Sequence, residues 1–390
     1  MKEIQESRSI PVCGEYDVIV VGGGAAGICA AIAAARHGAK TLLLEKSAAL
    51  GGLATAGHVV VYLPLCDGEG RRVIGGLPAE LLLSSIRYGY GNLPAEWMDL
   101  PLSIDSKKRC RTVFNGPAFA MALDEELLSS GADLLLDTVF CDAIMEDGQC
   151  RGVLVENKSG RQAYLCRAAV DASGDADLMF RAGAECVEQG NRLAYWAYCL
   201  ARQDGSILAS GCSPNGALKL FALGNIGDLD AKAEYLGTDA RQVTRFLLDG
   251  RRQALKALKE APDLTFASFP SMAQFRTTRR IRGLYTLTQQ DQGRNFPDSV
   301  GCTGDWRSPG PVYEIPLRAL CAKGIRNLFA AGRIISSCGD AWEITRVIPP
   351  AGVTGQAAGT AAYLASCEKK ADAERIQALL FQDGAILHPK

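Results

Sequence analysis

Histidine is scarce in this chain: His37, His58 and His388 are all that its 390 residues contain. The fourteen cysteines are scattered singly from Cys13 to Cys367, and no two stand in a C-x-x-C or C-x-x-x-x-C relation. Zinc ribbons, iron–sulfur clusters and local dithiol pairs depend on such close spacing, so no metal site is expected. No G-x-S-x-G stretch occurs, which removes the nucleophile elbow of a hydrolase. No apolar run reaches the roughly 18–20 residues that a membrane span needs. Residues 1–12 carry Lys2, Glu3, Glu6 and Arg8 where a signal peptide would place an apolar core. A net charge of −1 provides no basic excess for nucleic acid or an anionic membrane. These absences lead to the expectation of a soluble, cytoplasmic protein with reduced, buried cysteines, no membrane span and no nucleic-acid partner.

Glycine and short apolar runs, by contrast, are plentiful and ordered. Tyr16–Val21 reads as a buried parallel strand, Ile28–His37 as an alanine-rich helix stopped by Gly38, and Thr41–Glu45 as a second buried strand. Helices are expected from Gly75-Gly-Leu-Pro78 through Ile86 and over Ala118–Leu128. Leu134–Val170 reads as a β-meander with turns at Asp147-Gly148 and Ser159-Gly160. Further on, Ala194–Ala201 and Met272–Leu287 look strand-like, and Arg241–Glu260 looks like a charged helix. Asn327–Gly332 is one more strand ending in glycine, and Pro350–Ala365 is a small-residue helix that opens near Gly352-Val353.

Between the first strand and helix stands Gly22-Gly-Gly24-Ala-Ala-Gly27. Gly22 permits a tight turn, Gly24 lets the backbone approach a pyrophosphate, and Gly27 lets the helix pack closely on the strand. Alone, a G-x-G-x-x-G is weak. Here it follows a strand, opens a helix, and has Glu45 ending the next strand, where an acid binds ribose hydroxyls. That combination points to a dinucleotide. Two later strand-to-glycine junctions, Ala172-Ser-Gly174-Asp175 and Ala330-Ala-Gly332-Arg333, return the chain to the same place and favour FAD over NAD.

With those residues in view, the chain resembles the FAD-dependent oxidoreductases of the glutathione-reductase-like flavoprotein superfamily, closest to a bacterial group of that name. The resemblance is carried by Glu45-Lys46 with Gly51-Gly52-Leu-Ala-Thr55-Ala-Gly57, and by Arg276-Thr-Thr-Arg279-Arg280-Ile-Arg282-Gly283. Tyr313-Glu-Ile-Pro316, Asn327–Arg333, Arg346-Val-Ile-Pro-Pro350 and Gly355-Gln-Ala-Ala-Gly359 complete it, so it runs from about residue 16 to 365. It implies an α/β fold: a Rossmann-like FAD-binding domain, with a parallel sheet and β-meander crossover, plus a discontinuous α+β substrate domain. The FAD-binding part would comprise residues 16–58, 110–178 and 310–366; the cap would comprise 59–109 and 179–309, leaving 1–15 and 367–390 as extensions.

The same resemblance implies how FAD would sit. Gly22, Gly24, Ala25, Ala26 and Gly27 would hold the pyrophosphate, and Glu45 with Lys46 the adenosine ribose side. Gly51, Gly52 and Leu53 would pass the pyrophosphate and flavin, and Val139 would meet adenine through its backbone. Ala172, Ser173, Gly174 and Asp175 would lie beside the cofactor, Gly332 and Arg333 near the ribityl chain. A helix N-terminus at Gly352-Val353 would face the flavin pyrimidine edge, where reduced flavin carries negative charge. Many relatives place an acid where this chain has Arg333, which puts that side chain's ribityl hydrogen bond in doubt.

The catalytic side is less constrained. β-alternation would put Arg276, Arg280 and Arg282 on one face and Arg279 on the other. They could grip a carboxylate substrate through bidentate bonds, or clamp loops and FAD phosphates. Arg346 could bind substrate or polarise the flavin, or form a structural ion pair. Trp342 and Glu343 could line the pocket or belong to an ordered loop. His58 is either a covalent flavin anchor or, as expected here, a pocket histidine beside non-covalently bound FAD. Tyr285 and Tyr313 are candidate proton carriers or packing residues. The site residues taken forward on the catalytic side are Arg280, Arg346, Tyr313 and His58. The expected activity is hydride transfer between a small organic, possibly anionic, substrate and flavin, with the electron acceptor or donor unspecified and a homo-oligomer left open. A flavin-bearing electron-transfer subunit and a flavoprotein monooxygenase are the alternatives.

Overall fold

Four consecutive residues buried on both faces, Val18–Val21, end the first strand and mark it as the centre of a sheet. The structure, a computed structural model, describes residues 4–88, 112–203, 206–207, 218–223, 234–261, 264–367 and 372–389. The expected boundary at 109 and 110 lies outside the described residues. In chain order β1 (Val12–Val21), α1 (Ala25–Arg36) and β2 (Thr41–Leu44) come first, then β3 (Val61–Tyr62), α2 (Leu77–Arg87), β4 (Thr112–Val113) and α3 (Gly116–Ser129). The meander follows as β5 (Asp133–Leu135), β6 (Val139–Glu146), β7 (Gln149–Asn157) and β8 (Gly160–Asp171). After α4 (Asp177–Arg181) come β9 (Cys186–Glu188), β10 (Tyr195–Gln203), β11 (Ser206–Ile207), β12 (Leu218–Leu223), α5 (Ala240–Glu260) and β13 (Leu264–Ser268). The last third runs β14 (Arg279–Ile281), β15 (Ser299–Gly304), β16 (Val312–Pro316), β17 (Leu328–Ala330), α6 (Asp340–Thr345), α7 (Ile348–Cys367) and α8 (Ala373–Gln382).

The main sheet has the order β5-β2-β1-β8-β7-β6. Its β5, β2, β1 and β8 are mutually parallel, and β7 and β6 add antiparallel strands. β8 is long enough to serve two partners. Its first half pairs β7 and its last residues, Ala169–Asp171, pair β17 in parallel. The carboxyl ends of β1, β8 and β17 therefore lie together, each running into a glycine turn. An α/β fold with a dinucleotide-binding sheet is thus realised, and the three turns converge where such sheets bind ligands.

α7 packs on α1 with almost no side chain between them. A Cβ at Gly355 would overlap the Ala26 carbonyl, and one at Gly359 the Ala30 carbonyl. Four-residue spacing puts both glycines on one face of the helix. The main core reaches past the expected domain boundaries, taking in Val60, Tyr62, Val73 and Leu82 on one side and Val300, Cys302, Ile376 and Leu380 on the other. A second sheet, β11-β10-β12 with β13 on the free edge of β10, carries α5, whose Gly250 receives the ring of Tyr195.

Two local expectations are corrected. Of Met272–Leu287, only Arg279–Ile281 forms a strand. Neighbouring backbone donors are taken by loops: Ser271 donates to Ala56, Arg276 and Thr277 to the Asn191 side chain, and Tyr285 to Arg318. Alternation over the whole arginine segment is therefore absent. The last long helix starts at Ile348, not near Gly352-Val353, because Pro349 and Pro350 sit in its first turn, where a missing N–H costs no hydrogen bond. Gly352 and Val353 are interior helix residues, packed against Pro78 with Cys29 and against Gly301, respectively.

Candidate cofactor and substrate site

Gly22 has a φ of 102°, and a Cβ there would overlap the Ala172 carbonyl at the end of β8. One at Gly27 would overlap the Gly22 carbonyl itself. Both positions are closed to any side chain. Gly24, by contrast, has no atom within 4 Å of where a Cβ would stand, and it caps α1 with no side chain of its own. The opening before Ala25, Ala26 and Gly27 is thus bare backbone beside a helix N-terminus, which suits a diphosphate.

The second glycine pair completes this cradle. Gly51 bridges Gly24 in parallel fashion and donates to Gly23 O at 2.8 Å. Gly51 and Gly52 both have positive φ, and a Cβ at Gly52 would stand 3.3 Å from the Gly24 Cα. Glu45, buried at the end of β2, accepts from Gly23 N at 2.6 Å and from both the backbone and hydroxyl of Ser47. Each carboxylate oxygen has two acceptor sites; Ser47 fills both on Oε1, so Oε2 keeps one for a ribose hydroxyl. Thr138 N donates to Glu45 O, which sets Val139 next to that end of the cradle. These residues fit an FAD diphosphate and ribose.

At the β8 and β17 turns, Arg333 and Asp175 turn to each other. Arg333 Nη2 donates to Asp175 Oδ1 at 2.7 Å, and its other nitrogens reach Gly174 O and Phe275 O. Burial pushes the Asp175 carboxyl up, but Arg333 and Lys46 outweigh it and hold the group below its ordinary value. Asp177 goes the other way, raised by burial and by Asp175. The Arg333 side chain is therefore committed to a loop clamp, and Gly332 N donates to Thr354 Oγ1 of α7. Ser173 Oγ accepts from Asp177 N at the start of α4.

Residues 271–283 run past the Gly51–Gly57 loop and the β8 and β17 turns like a seam. Gln274 bonds the backbone N–H and C=O of Trp196 on β10 and also the Gly57 carbonyl, joining the second sheet to the Gly51–Gly57 loop. Thr278 donates to Gly174 O and Asp175 Oδ1. Arg279, buried, donates to Asp175 O and Asp177 Oδ1 with its guanidinium 4.1 Å from the Phe180 ring centroid. It is a loop clamp, one of the two roles left open above. Arg282 is exposed and pairs with Glu185.

Arg276, Arg280 and Arg346 meet around α6. Arg280 is buried over the Trp342 ring, donates to Ile281 O through Nη1, and has an enclosed Nε without a partner. Its guanidinium pKa is lowered by burial and by Arg282, with Cys338 opposing. Arg276 is lowered by burial and then by Arg346, with Glu343 opposing. Arg346 gives Nε and Nη2 to Glu343. Trp342 Nε1 donates to Arg333 O, which ties this helix to the Gly332 turn. Arg346 thus pairs with Glu343, which also acts on Arg276, while Arg280 lies over the Trp342 ring of the same helix.

His58 follows the second glycine pair: Gly57 N donates to Gly52 O, and the His58 ring meets Tyr198 of β10 with centroids 5.2 Å apart. Tyr313 lies elsewhere, buried on β16, where Asp305 adds to the upward push of burial on its hydroxyl. The structure thus places His58 against β10, Arg280 and Arg346 at α6, and Tyr313 in the β15–β16 hairpin. Asn191, Gln274 and Tyr198 were not found by sequence reading. Each is a lone polar residue whose partner lies far along the chain, and nothing local marks it.

The family profile described as FAD dependent oxidoreductase matches residues 17–194 and 215–383. The tRNA uridine 5-carboxymethylaminomethyl modification enzyme MnmG of Lactobacillus delbrueckii subsp. bulgaricus is 32% identical over 169 residues, 42% of this chain and 25% of that protein. Dihydrolipoyl dehydrogenase of Trypanosoma brucei brucei is 56% identical over 45 residues, 12% of this chain and 9% of that protein. The chain thus spans a quarter or less of the length of these curated relatives. Among solved structures, a geranylgeranyl bacteriochlorophyll reductase-like protein of Thermoplasma acidophilum aligns with a TM-score of 0.45 at 14% identity, over 95% of this chain and 83% of that one. Among the described residues no helix is long and apolar enough to cross a membrane.

Proposed function

The chain belongs to the FAD dependent oxidoreductase family, and we propose that it transfers hydride between FAD and a small organic substrate bearing an anionic group. The carrying observation is Arg280, buried over the Trp342 ring of α6 with no acidic partner among the described residues, beside the Arg346–Glu343 pair of the same helix. Burying guanidinium groups without matching anions is costly, and a substrate carboxylate would offset that cost. Arg280, enclosed and lacking an acidic partner among the described residues, is the group that such a carboxylate would meet.

FAD would be held by Gly22, Gly24 and the first-turn amides of Ala25, Ala26 and Gly27 at its diphosphate, and by Glu45 with Lys46 at its adenosine ribose. Gly51, Gly52 and Leu53 would flank the diphosphate and flavin, Val139 the adenine, and Ala172–Asp175 with Gly332 the middle of the molecule. Arg333 would contribute through its backbone, since its side chain holds Asp175. Bound there, FAD supplies two-electron chemistry at N5. The protein's part is to orient the substrate by its charge and to exclude water. The dipole of α7, starting at Ile348, would favour negative charge near its first turn. FAD is held non-covalently in this reading, with His58 as a pocket histidine. We retain the division into cofactor part and cap as the frame of this reading.

The test is anaerobic exposure of the yellow holoprotein to small carboxylates and their methyl esters. Bleaching by a carboxylate but not by its ester is the expected result. Colour changes only with a reduced protein partner, or rapid NAD(P)H-driven oxygen consumption without any bleaching carboxylate, would replace this reading by the electron-transfer or monooxygenase alternative.

A further inference from the structure

The loop that closes the diphosphate cradle ends in a residue that breaks two rules at once. His58 has a φ of 54°, a left-handed conformation uncommon outside glycine. Its Nδ1 is enclosed and no polar atom answers it. Its ring nonetheless lies against another proton-bearing side chain, Tyr198, at an interplanar angle of 46°. Strained backbone and unanswered buried polar atoms concentrate at functional sites. The placement here is not a local accident: Gln274 grips Gly57, the residue before His58, and Trp196, two residues before Tyr198 on the same strand. The pair is held together from both sides.

The chemistry of the ring follows from its surroundings. A proton on the enclosed Nδ1 would be an N–H without an acceptor, so the neutral ring keeps its proton on Nε2. Adding a second proton would bury a charge, and burial lowers the His58 pKa below its ordinary 6.5. Tyr198 is likewise kept neutral, with burial pushing its hydroxyl to about 12. Burial is the one cause of both shifts; no charged side chain on either element or on the arginine segment adds to them. Neither Nε2 of His58 nor the Tyr198 hydroxyl has a hydrogen-bond partner among the described residues.

We propose that His58 Nε2–H and Tyr198 Oη–H are a pair of neutral hydrogen-bond donors for a carbonyl oxygen, so that the substrate is a carboxylate that also carries a carbonyl group or the hydroxyl it becomes. This rests on the hydride-transfer reading above and narrows its substrate class. The arginines take the carboxylate end and the neutral pair takes the reacting end. Neutral donors suit that position, since a charged imidazolium or a tyrosinate would alter the charge at the carbon where the hydride arrives or leaves. Both groups keep their own protons: the alkoxide formed when hydride reaches the carbonyl carbon takes its proton from solvent water, and in the oxidising direction the hydroxyl proton leaves to solvent.

Because the chain has three histidines, imidazole NMR of the FAD-loaded protein labelled in histidine resolves His58 once His37→Gln and His388→Gln variants assign the others. The expected spectrum is a neutral, Nε2-protonated His58 from pH 9 down to pH 6, displaced in Tyr198→Phe. Pyruvate should shift the resonance at a concentration about tenfold lower than propionate needs, the worth of one or two neutral hydrogen bonds. A cationic His58 at pH 7, an Nδ1-protonated ring, or equal responses to pyruvate and propionate would overturn the proposal. Retained yellow colour in Tyr198→Phe separates loss of the donor pair from loss of fold. The carboxylate-versus-ester bleaching experiment is unaffected by any of these outcomes, so failure here leaves the broader reading standing.

Discussion

The cradle at Gly22–Gly27 and the seam at residues 271–283 face the same region of the molecule and are built by opposite means. The cradle works by leaving side chains out: positive φ at Gly22, overlap at Gly27, and open space at Gly24. The seam works largely by side chains, with Gln274 reaching the Gly51–Gly57 loop, Thr278 and Arg279 the β8 turn and α4, and Arg280 the Trp342 ring of α6. A backbone site tolerates almost no substitution at its glycines and depends little on distant residues. A side-chain site can lose single members without collapse, and each member carries a separate task.

That contrast can be broken most severely at the cradle. Gly27→Ala places a methyl on the Gly22 carbonyl, and the overlap should cost about 3 kcal/mol or more. The purified variant should be colourless, as read from the 450 nm to 280 nm absorbance ratio. Along the seam, Arg279→Met should act on stability: it removes an ion pair whose arginine is buried, expected to cost about 2–4 kcal/mol in denaturant titrations while bound FAD persists. Arg276→Met should act on recognition instead, weakening anaerobic bleaching by a carboxylate tenfold or more while bound FAD persists. If Arg279→Met and Arg276→Met behave alike, the seam has no division of labour.

Two pH effects sharpen the picture further, with opposite signs. Asp171, fully buried at the end of β8, has its carboxyl raised to about 6 by burial, against the bonds it accepts from Met179 and Ser173. A raised carboxyl contributes stability below its unfolded value and loses it as pH rises through 6, about 3 kcal/mol in all. Asp171→Asn should therefore compare better with the parent protein at pH 7.5 than at pH 4, as measured by paired urea titrations. His58 is lowered instead, so its contribution is present above pH 6.5 and fades as pH falls below it. His58→Asn should show the smaller change of the two, confined to the range below 6.5, because the residue is only partly enclosed.

The same contrast explains what could be read from the sequence. The cradle was legible because glycine spacing and a strand-end acid are local and are forced by backbone sterics; Gly22, Gly24, Gly27, Glu45 and the Gly51-Gly52 pair all fall where the spacing put them. α5 was legible from its amphipathic pattern, observed over Ala240–Glu260. The seam was misread as a long strand because its β-branched and aromatic residues fit a pleated pattern, while Asn191 and the Ala56 carbonyl, far away in sequence, claim its backbone donors. The start of α7 was misplaced by giving Gly352 the role that two prolines already filled. Arg333 and Asp175 were both legible as neighbours of the cofactor, but not as partners of each other, since their pairing depends on β8 and β17 lying side by side.

The most direct measurement is an anaerobic titration of the FAD-loaded protein and its Arg276→Met and Arg280→Met variants with one bleaching carboxylate and its methyl ester. Charge recognition at α6 requires that the parent protein prefer the acid strongly and that both variants lose most of this preference while keeping their flavin. An ester that bleaches as readily as the acid, or variants that discriminate as well as the parent, would contradict it.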